Sequence, residues 1–376
     1  MILRVALENI ERKLFKGKVI LLFGARQVGK TTILEHLTKT RSEPVWHISG
    51  DEPDTRALLA EITSSQLKNY LGKHKIFFID EAQRIPNIGL TLKLIADNLK
   101  DVQVIATGSS SFEMANEMNE PLTGRKFEFR VFPLSFQEMV DHHGLLEEKR
   151  QLPQRLIYGT YPEVVTNPNE SEELLNLIAD SYLYKDLFIL DSIKRPKLLE
   201  KILQALALQV GSEVSYNELA QLVGADKGTV EKYIQLFEQT FVLFQLPSFS
   251  RNVRNELKKS KKIYFYDCGI RNAVIGNYNP IHKRTDVGAL WENYLIAERM
   301  KKLHYENSRS RSFFWRTTQQ QEVDLVEESI DNLKAFEFKW NTSAKVKFPK
   351  TFTNAYPDAQ LKTITPENFE EFLIKA

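Results

Sequence analysis

The chain has 376 residues, a formal net charge of +2 and a hydrophobic content of 42%. This length predicts two or three domains with sizeable cores, and the near-neutral charge excludes a protein that is basic all over. A single cysteine, Cys268, excludes an intramolecular disulfide framework. The N-terminus does not have the pattern of a signal peptide, and no apolar run reaches about 18 residues. We therefore expect a cytoplasmic protein without transmembrane helices.

The first motif is a glycine-rich loop. An apolar run, Val19–Phe23, predicts a buried parallel strand, and residues 24–31 then read GARQVGKT. This fits G-x-x-x-x-G-K-[ST], the P-loop, whose glycines let backbone N–H groups close around a phosphate. Lys30 would reach the β- and γ-phosphates, and Thr31 would ligate Mg²⁺ at the start of a helix. The candidate nucleotide-binding residues are Gly24, Ala25, Arg26, Gln27, Val28, Gly29, Lys30, Thr31 and Thr32.

A second apolar strand ends in two carboxylates. Residues 75–83 read KIFFIDEAQ, in which four apolar residues precede Asp80 and Glu81. A buried strand that ends in two acids needs a reason, because unpaired buried charge is unfavourable. Mg²⁺ supplies one: Asp80 would bind the metal, directly or through water, and Glu81 would orient and deprotonate the attacking water. The alternative is an acidic pair that faces solvent.

Residues 102–106 predict a third strand that ends in TGSSS. Polar residues at the carboxyl end of such a strand would lie beside the γ-phosphate. We therefore take Ser109 or Thr107 as a polar sensor that hydrogen-bonds the attacking water. A serine-rich loop that caps the next helix fits any single one of these residues nearly as well.

Arg125 lies in the sequence LTGR. An arginine here could supply transition-state charge to the nucleotide of a neighbouring subunit, which would require a homo-oligomer. A surface or lid-contacting arginine is an equally good interpretation. Arg26, inside the glycine loop, is a second basic candidate, for which we favour a structural role.

The remaining pattern predicts four parts. Residues 1–140 alternate strands and helices, as in an α/β sheet covered on both faces. Residues 141–194 are predominantly helical and are predicted to form a lid over the nucleotide. Residues 195–250 show helix, helix, glycine turn, helix and strand, the order of a winged helix-turn-helix. Residues 251–376 alternate strands with one long helix.

The winged helix-turn-helix has an ambiguous surface. Its third helix carries Lys227 and Lys232 but also Glu231 and Glu238, which gives weak support for reading a DNA major groove. A structural or protein-contact role is an equally good interpretation. The stretch 251–262 is basic and is a better candidate for phosphate contacts, although a charge run is usually a solvated face.

The last part contains a second candidate active site. Glu337 and Lys339 are two residues apart on a predicted strand and share a face. Asp324 lies on the preceding strand, and Glu292 near the start of a helix is a possible third acid. Two carboxylates and a lysine can hold Mg²⁺, here through Asp324 and Glu337, and activate water for phosphodiester cleavage, as in restriction-endonuclease-like folds. The alternative is an ordinary strand with a solvent face of Glu and Lys.

Taken together, these blocks resemble the bacterial and archaeal family of AAA-type ATPases that end in a C-terminal domain of unknown function. The resemblance spans nearly the whole chain and includes GARQVGKTT, FFIDEAQRIP, ATGSSS, LTGR, YGTYPEVV, WENY and FEFK. It implies an AAA-type ATPase domain, a winged-helix middle and a restriction-endonuclease-like C-terminal domain. It also implies ATP as the nucleotide, and it keeps all four candidate nuclease residues.

We therefore expect an ATP-hydrolysing enzyme whose C-terminal domain binds or cuts nucleic acid. The alternative is a nucleotide-dependent switch or scaffold, whose C-terminal domain binds a protein or DNA without cutting. A further option is an ATPase that uses the C-terminal domain as an oligomerisation surface. The near-neutral charge and the acidic third helix favour the switch, whereas two acidic sites suited to metal favour the enzyme.

Overall fold

A computed structural model describes residues 2–109, 121–189, 195–250, 261–330, 332–344 and 346–374, with only the backbone for 181–189. The chain divides into two compact units. The first is Met1–Pro133 with Gln239–Phe241, and the second is Leu134–Glu238 with Val242–Ala376. Within the described ranges, no helix combines the length and apolar character needed to cross a membrane.

The first unit is built on a parallel five-stranded sheet with the order β2-β3-β4-β1-β5 in its described residues. The predicted α/β sheet is thus confirmed. Its strands are β1 (Val19–Phe23), β2 (Val45–Ser49), β3 (Ile76–Asp80), β4 (Gln103–Gly108) and β5 (Lys126–Arg130). Because all five strands are parallel, their carboxyl ends lie at one edge of the sheet, which is where α/β folds bind ligands.

Five helices accompany this sheet in the described residues. They are α1 (Val5–Glu11), α2 (Lys30–Thr40), α3 (Pro53–Ala60), α4 (Ser64–Leu71) and α5 (Ile88–Asn98). Helix α2 buries Ile33, Leu34 and Leu37, which recur at helical spacing. Helix α4 begins at a capping box in which Thr63 and Gln66 satisfy each other's backbone N–H groups.

The second unit contains more helices than the first in its described residues. They are α6 (Phe136–His143), α7 (Leu145–Arg150), α8 (Leu152–Tyr158), α9 (Pro162–Thr166), α10 (Ser171–Ile189), α11 (Pro196–Leu208), α12 (Tyr216–Val223), α13 (Lys227–Gln239), α14 (Cys268–Val274), α15 (Val287–Tyr305), α16 (Lys350–Ala355) and α17 (Phe369–Leu373). Two sheets accompany them.

The smaller of these sheets is antiparallel, with the order β6-β8-β7. Its strands are β6 (Glu213–Val214), β7 (Leu243–Pro247) and β8 (Lys261–Phe265). The predicted succession of helices and strand is present, since α11, α12 and α13 precede β7. Strand β8, which lies in residues 251–376, the predicted C-terminal part, pairs with β7 and therefore belongs to the sheet of the middle part. Of the basic stretch, Arg251, Arg254, Lys258 and Lys259 lie outside the described residues.

The larger sheet has the order β12-β11-β10-β9, with β9, β10 and β11 antiparallel and β12 parallel to β11. Its strands are β9 (Arg311–Arg316), β10 (Glu322–Glu328), β11 (Leu333–Phe338) and β12 (Gln360–Ile364). A cluster of buried apolar residues, including Phe249, Phe313, Val326 and Phe352, packs one face of this sheet.

Residues predicted as a lid pack against helix α14 inside the second unit. The backbone N–H of Thr160 donates to Oδ2 of Asp267 over 2.6 Å. The side-chain amide of Asn272 donates to the carbonyls of Leu156 and Ile157. A Cβ at Gly269 would lie 2.2 Å from the carbonyl oxygen of Tyr158, so the two segments pack backbone to backbone. These contacts tie residues 156–160 to 267–272, and the role as a lid stays a prediction.

Candidate functional site

The glycine loop lies at the carboxyl end of β1. Gly24 directly follows this strand, and a Cβ there would lie 2.1 Å from the carbonyl oxygen of Val131, so only glycine fits. Gly29 has a φ of 93°, in the left-handed region that favours glycine, and helix α2 begins at the next residue, Lys30. The loop therefore closes over the N-terminus of α2, as the motif predicts.

Lys30 and Thr31, at the start of α2, contact the glycine loop and the end of β3 respectively. The ammonium of Lys30 is buried and donates to the loop carbonyls of Gly24, over 2.8 Å, and Ala25, over 2.7 Å. The hydroxyl of Thr31 donates to Oδ2 of Asp80 over 3.1 Å. A hydroxyl and a carboxylate that converge from two elements are hard oxygen donors of the kind Mg²⁺ prefers, so the chemistry of this pair fits that ion.

The ends of β3 and β4 are joined by hydrogen bonds. The hydroxyl of Thr107 donates to Oδ1 of Asp80, and it accepts a bond from the backbone N–H of Glu81 over 3.2 Å. Glu81 itself has a φ of 47°, a left-handed conformation that costs a non-glycine residue about 1–2 kcal/mol. Thr107 therefore orients Asp80. Ser109 is linked to Glu81 only indirectly, because the side chain of Gln83 bonds both residues.

Gln83 is a site residue that the motif analysis missed. Its side-chain amide donates to Oε2 of Glu81 over 2.6 Å and to Oγ of Ser109 over 3.0 Å. The sequence contained the signal, since Gln83 follows two residues after Glu81 in DEAQ. Nothing in the spacing alone could show that the chain turns back through the short 3₁₀ helix Ala82–Arg84.

Arg4 is a second missed residue. Its guanidinium is buried and donates to the carbonyls of Val28, in the loop, and Phe132, over 2.5 Å. A Cβ at Gly29 would lie 3.2 Å from Nη1 of Arg4. This arginine therefore braces the glycine loop from behind, a role that its position near the N-terminus gave no reason to suspect.

Arg125 lies at the opposite edge of the sheet from the glycine loop. Its carbonyl accepts a bond from the N–H of Val19, the first residue of β1, whereas the loop follows the last residue of that strand. A five-residue strand spans about 13 Å at about 3.3 Å per residue. The guanidinium donates to Oδ1 of Asp97 over 2.7 Å. Arg125 is thus remote from the loop of its own chain, and a role toward a neighbouring subunit stays a prediction.

The second candidate site is assembled on the larger sheet. The ammonium of Lys339 lies 2.9 Å from Oε2 of Glu337 and 3.8 Å from Oδ2 of Asp324. The same Asp324 oxygen accepts a bond of 2.7 Å from the backbone N–H of Phe338. The predicted convergence of Asp324, Glu337 and Lys339 is therefore present, with Asp324 on β10, Glu337 on the neighbouring β11 and Lys339 directly after β11.

Glu292 has different neighbours from those expected. Its Oε1 accepts bonds from the buried ammonium of Lys262, over 3.0 Å, and from the hydroxyl of Tyr264, over 2.6 Å. Lys262 also contacts Glu322. Lys262, Tyr264 and Glu322 were not predicted as residues of this site, because the local pattern of β8 does not reveal which elements it contacts. Within the described residues, no group of three His, Cys, Asp or Glu side chains is arranged to hold a metal ion. The charge of Asp324 still acts on Glu292, and the role of Glu292 as a third acid stays a prediction.

Burial controls the electrostatics of this cluster. It raises the pKa of Glu292 to about 7 despite the opposing charge of Lys262, and it raises the pKa of Glu337 to about 7 with help from Asp324. The pKa of Asp324 is also raised by burial, against the effect of Lys339. Burial alone would lower the pKa of Lys262, but Glu292 and Glu322 outweigh it and raise that pKa. Asp324 and Glu337 are hard carboxylate donors, and their chemistry fits a divalent cation whose coordination shell is completed by water.

The sheet, the glycine loop and the Asp80 pair define a P-loop nucleotide-binding protein. Residues 16–140 match a family model described as an AAA domain, which supports an AAA-type ATPase family. Residues 149–280 and 287–371 match models described as domains of unknown function, DUF8612 and DUF4143. The first of these two spans the predicted lid, the middle part and β8, consistent with the packing of those segments.

Similar proteins occur in bacteria and archaea. An uncharacterized protein of Mycobacterium tuberculosis is 26% identical over 366 residues, which cover 95% of this chain and 78% of the relative. An uncharacterized protein of Haemophilus influenzae is 25% identical, covering 90% of this chain and 88% of the relative. The protein MJ1544 of Methanocaldococcus jannaschii is 22% identical, covering 99% and 88%.

Solved structures resemble the chain only loosely. Cdc6p from Pyrobaculum aerophilum is 12% identical, with a TM-score of 0.29, covering 72% of this chain and 93% of that one. A signal transduction ATPase with numerous domains from Pyrococcus horikoshii is 11% identical, with a TM-score of 0.30, covering 81% of this chain and 47% of that one. These scores are too low to carry an argument, so the assignment rests on the AAA match and the site geometry.

Proposed function

We propose that the chain binds ATP and hydrolyses it to ADP and phosphate. The observation that carries this proposal is the convergence of Lys30, Thr31, Asp80 and Glu81 at the carboxyl edge of one parallel sheet, beside a glycine loop that a Cβ would obstruct. The AAA match over residues 16–140 supports the same activity and favours ATP over other nucleotides.

The chemistry follows from these positions. The ammonium of Lys30, now bonded to the carbonyls of its own loop, is the cation available to the terminal phosphates. Thr31 and Asp80 would hold Mg²⁺, which neutralises phosphate charge when bound. Glu81, at the end of β3, accepts a proton from the water that attacks the γ-phosphate in line with the leaving ADP.

The test separates binding from turnover. Lys30→Ala is expected to abolish ATP binding or turnover, whereas Glu81→Gln keeps binding and lowers turnover at least about 100-fold. Lys39→Ala is the matched control, because Lys39 is an exposed lysine at the other end of the same helix. Wild type that neither binds nor hydrolyses ATP with Mg²⁺ present would exclude the proposal.

We propose metal-dependent cleavage of phosphodiesters as a second candidate function. The specific observation is that Lys339 contacts both Glu337 and Asp324. These two acids come from neighbouring strands and are largely buried. Asp324 and Glu337 would hold a divalent cation, which supplies activation of water when bound. Lys339 would neutralise charge on the attacked phosphate or the attacking water.

Cleavage is tested on plasmid and single-stranded substrates with Mg²⁺ or Mn²⁺, with and without ATP. Asp324→Ala and Lys339→Ala are expected to lose cleavage and keep ATPase activity. Lys334→Ala is the matched control, since Lys334 is exposed on the same strand as Glu337. No cleavage of any DNA or RNA form by wild type would leave the alternative, a nucleotide-dependent switch whose C-terminal part binds without cutting.

The exposed face of α13 is a candidate surface for binding a partner. It carries Lys227, Lys232, Glu231 and Gln235, a mixed set that supports a protein contact as well as DNA binding. A partner retained by the ATP-loaded Glu81→Gln variant and lost on removal of nucleotide would support the switch. Particle mass measured with and without ATP, for wild type and Arg125→Ala, tests whether Arg125 acts in a homo-oligomer.

A further inference from the structure

The amide of Gln83 connects Glu81, the proposed base, with Ser109, one of the two candidate polar sensors. Its nitrogen donates both hydrogens, one to Oε2 of Glu81 over 2.6 Å and one to Oγ of Ser109 over 3.0 Å. Ser109 is 2% exposed and directly follows strand β4. One planar group therefore ties the end of β3 to the end of β4 at the carboxyl edge of the sheet.

This arrangement fixes the orientation of the amide. A carboxylate accepts hydrogen bonds only, so the group that faces Glu81 must be the nitrogen of Gln83 rather than its oxygen. The oxygen Oε1 is buried and has no hydrogen-bond partner among the described residues. An unsatisfied buried carbonyl costs about 1–3 kcal/mol, a cost that proteins tend to retain at functional sites.

The backbone beside the amide is constrained as well. Glu81 has a φ of 47°, and its carbonyl lies so close to Gly50 that a Cβ there would approach within 2.3 Å. The N–H of Gly50 in turn donates to the carbonyl of Asp80 over 2.8 Å. The main chain at Glu81 is therefore held by neighbouring strands, and the remaining freedom is in the side chain that Gln83 holds.

We propose that Gln83 is a positioning residue for ATP hydrolysis. It holds one oxygen of Glu81 with an N–H and leaves the other oxygen to accept the proton of the attacking water. Because Gln83 also bonds Ser109, the orientation of the Glu81 carboxylate depends on the position of the end of β4. This inference rests on the proposed ATPase activity, and it assigns to Gln83 no contact with substrate.

The charge-assisted hydrogen bond from the amide holds the carboxylate of Glu81 in one orientation. Loss of the amide frees the carboxylate to rotate among its rotamers. A misplacement of about 1 Å in such a group lowers turnover on the order of 100-fold.

The first test compares Gln83→Ala with wild type. We expect kcat to fall about 10- to 100-fold with the Kd for ATP unchanged, because the loop that binds phosphate is untouched. Arg84→Ala is the matched control on the same turn, since Arg84 points to Asp51 and is partly exposed. An unchanged kcat in Gln83→Ala, or equal losses in binding and thermal stability, would overturn the proposal.

The second test removes the donor and keeps the length of the side chain. Gln83→Glu replaces the amide N–H by a carboxylate oxygen, which cannot donate a hydrogen bond to Glu81. We expect kcat to fall at least as far as in Gln83→Ala, with the Kd for ATP unchanged. A Gln83→Glu variant with the kcat of wild type would show that the side chain acts only through its volume, and would overturn the proposal.

A double-mutant cycle completes the experiment. If Gln83 and Ser109 act as one unit, Gln83→Ala and Ser109→Ala together lower kcat by less than the product of their separate effects. Wild type without ATPase activity, matched by Lys30→Ala, would remove the proposed function itself. An active wild type, an inactive Lys30→Ala and an unimpaired Gln83→Ala would remove only the role of Gln83.

Discussion

The hydroxyl of Thr31 lies 3.1 Å from Oδ2 of Asp80, a bond that joins the first turn of α2 to the end of β3. These residues are 49 positions apart in sequence, and they meet because the sheet is parallel and β1 and β3 end at the same edge.

Asp80→Asn keeps the shape of the side chain and removes its charge. We expect the variant to need a much higher Mg²⁺ concentration for ATP binding and to lose turnover by at least about 100-fold, because a neutral amide is a poor ligand for a hard cation. Titration of Mg²⁺ at fixed ATP measures this. Asp101→Asn, on an exposed loop, is the control, and equal Mg²⁺ dependence in the two variants would contradict the assignment.

Gly24→Ala is expected to disable the loop. The added Cβ would meet the carbonyl of Val131 at 2.1 Å, so β5 or the loop must shift, at a cost of about 1–3 kcal/mol in the free energy of unfolding and with loss of ATP binding. Chemical denaturation and ATP titration measure both effects.

The control for that substitution is Gly288→Ala. Gly288 lies in helix α15, where a Cβ would meet nothing within 4 Å, so alanine there should leave stability unchanged or raise it by up to about 1 kcal/mol. Equal effects of the two substitutions would show that the close approach at Gly24 is unimportant.

Lys262→Met should destabilise the second unit strongly. The side chain is 1% exposed, and its removal leaves the mostly buried Glu292 with the hydroxyl of Tyr264 but no cation, at a cost of about 3–5 kcal/mol. Glu322 would keep its second cation, Arg316, at 3.4 Å.

Lys362→Met is the matched control, because Lys362 pairs with Glu371 at an exposed position, where solvent screens the two charges and the pair adds little to stability. Similar midpoints of denaturation for the two variants would contradict the buried role of Lys262.

Cys268 should be inert to thiol reagents in the folded protein. Burial raises the pKa of its thiol from 9.0 to about 12, so almost no thiolate exists at pH 8 in the native state. We expect Ellman's reagent to react with one thiol per chain in denaturant and with none in buffer, with native reactivity rising only as the pH approaches 12. Rapid reaction of the folded protein at pH 8 would show that the thiol is accessible.

The glycine loop could be predicted because its determinants are local. Gly24, Gly29, Lys30 and Thr31 fall within eight residues, and each has a mechanical role that its spacing alone reveals. Asp80 and Glu81 could be predicted because a buried apolar strand rarely ends in two acids without a ligand. The convergence of Asp324, Glu337 and Lys339 followed from alternation along a strand and a single assumed strand pair.

The missed residues act over distances in sequence that no local pattern encodes. Arg4 reaches Phe132, which is 128 positions away, and Lys262 reaches Glu322, which is 60 positions away. Both depend on which strands become neighbours, and pattern analysis did not assign β8 to its sheet. Gln83 is close to Glu81 in sequence, but its contact with Ser109 requires the order of β3 and β4 to be known.

Strand β8 carries Lys262 and Tyr264 to Glu292, although the family model for the C-terminal part begins only at residue 287. A fragment cut at that point would leave its acidic cluster without the neutralising ammonium and the phenol. The acidic cluster and its neutralising partners are therefore not all contained in the segment that begins there, and recombination of that segment alone could not transfer them together. Exchange of this C-terminal segment would have to carry β8 along, or replace Lys262 and the acids beside it in a single step.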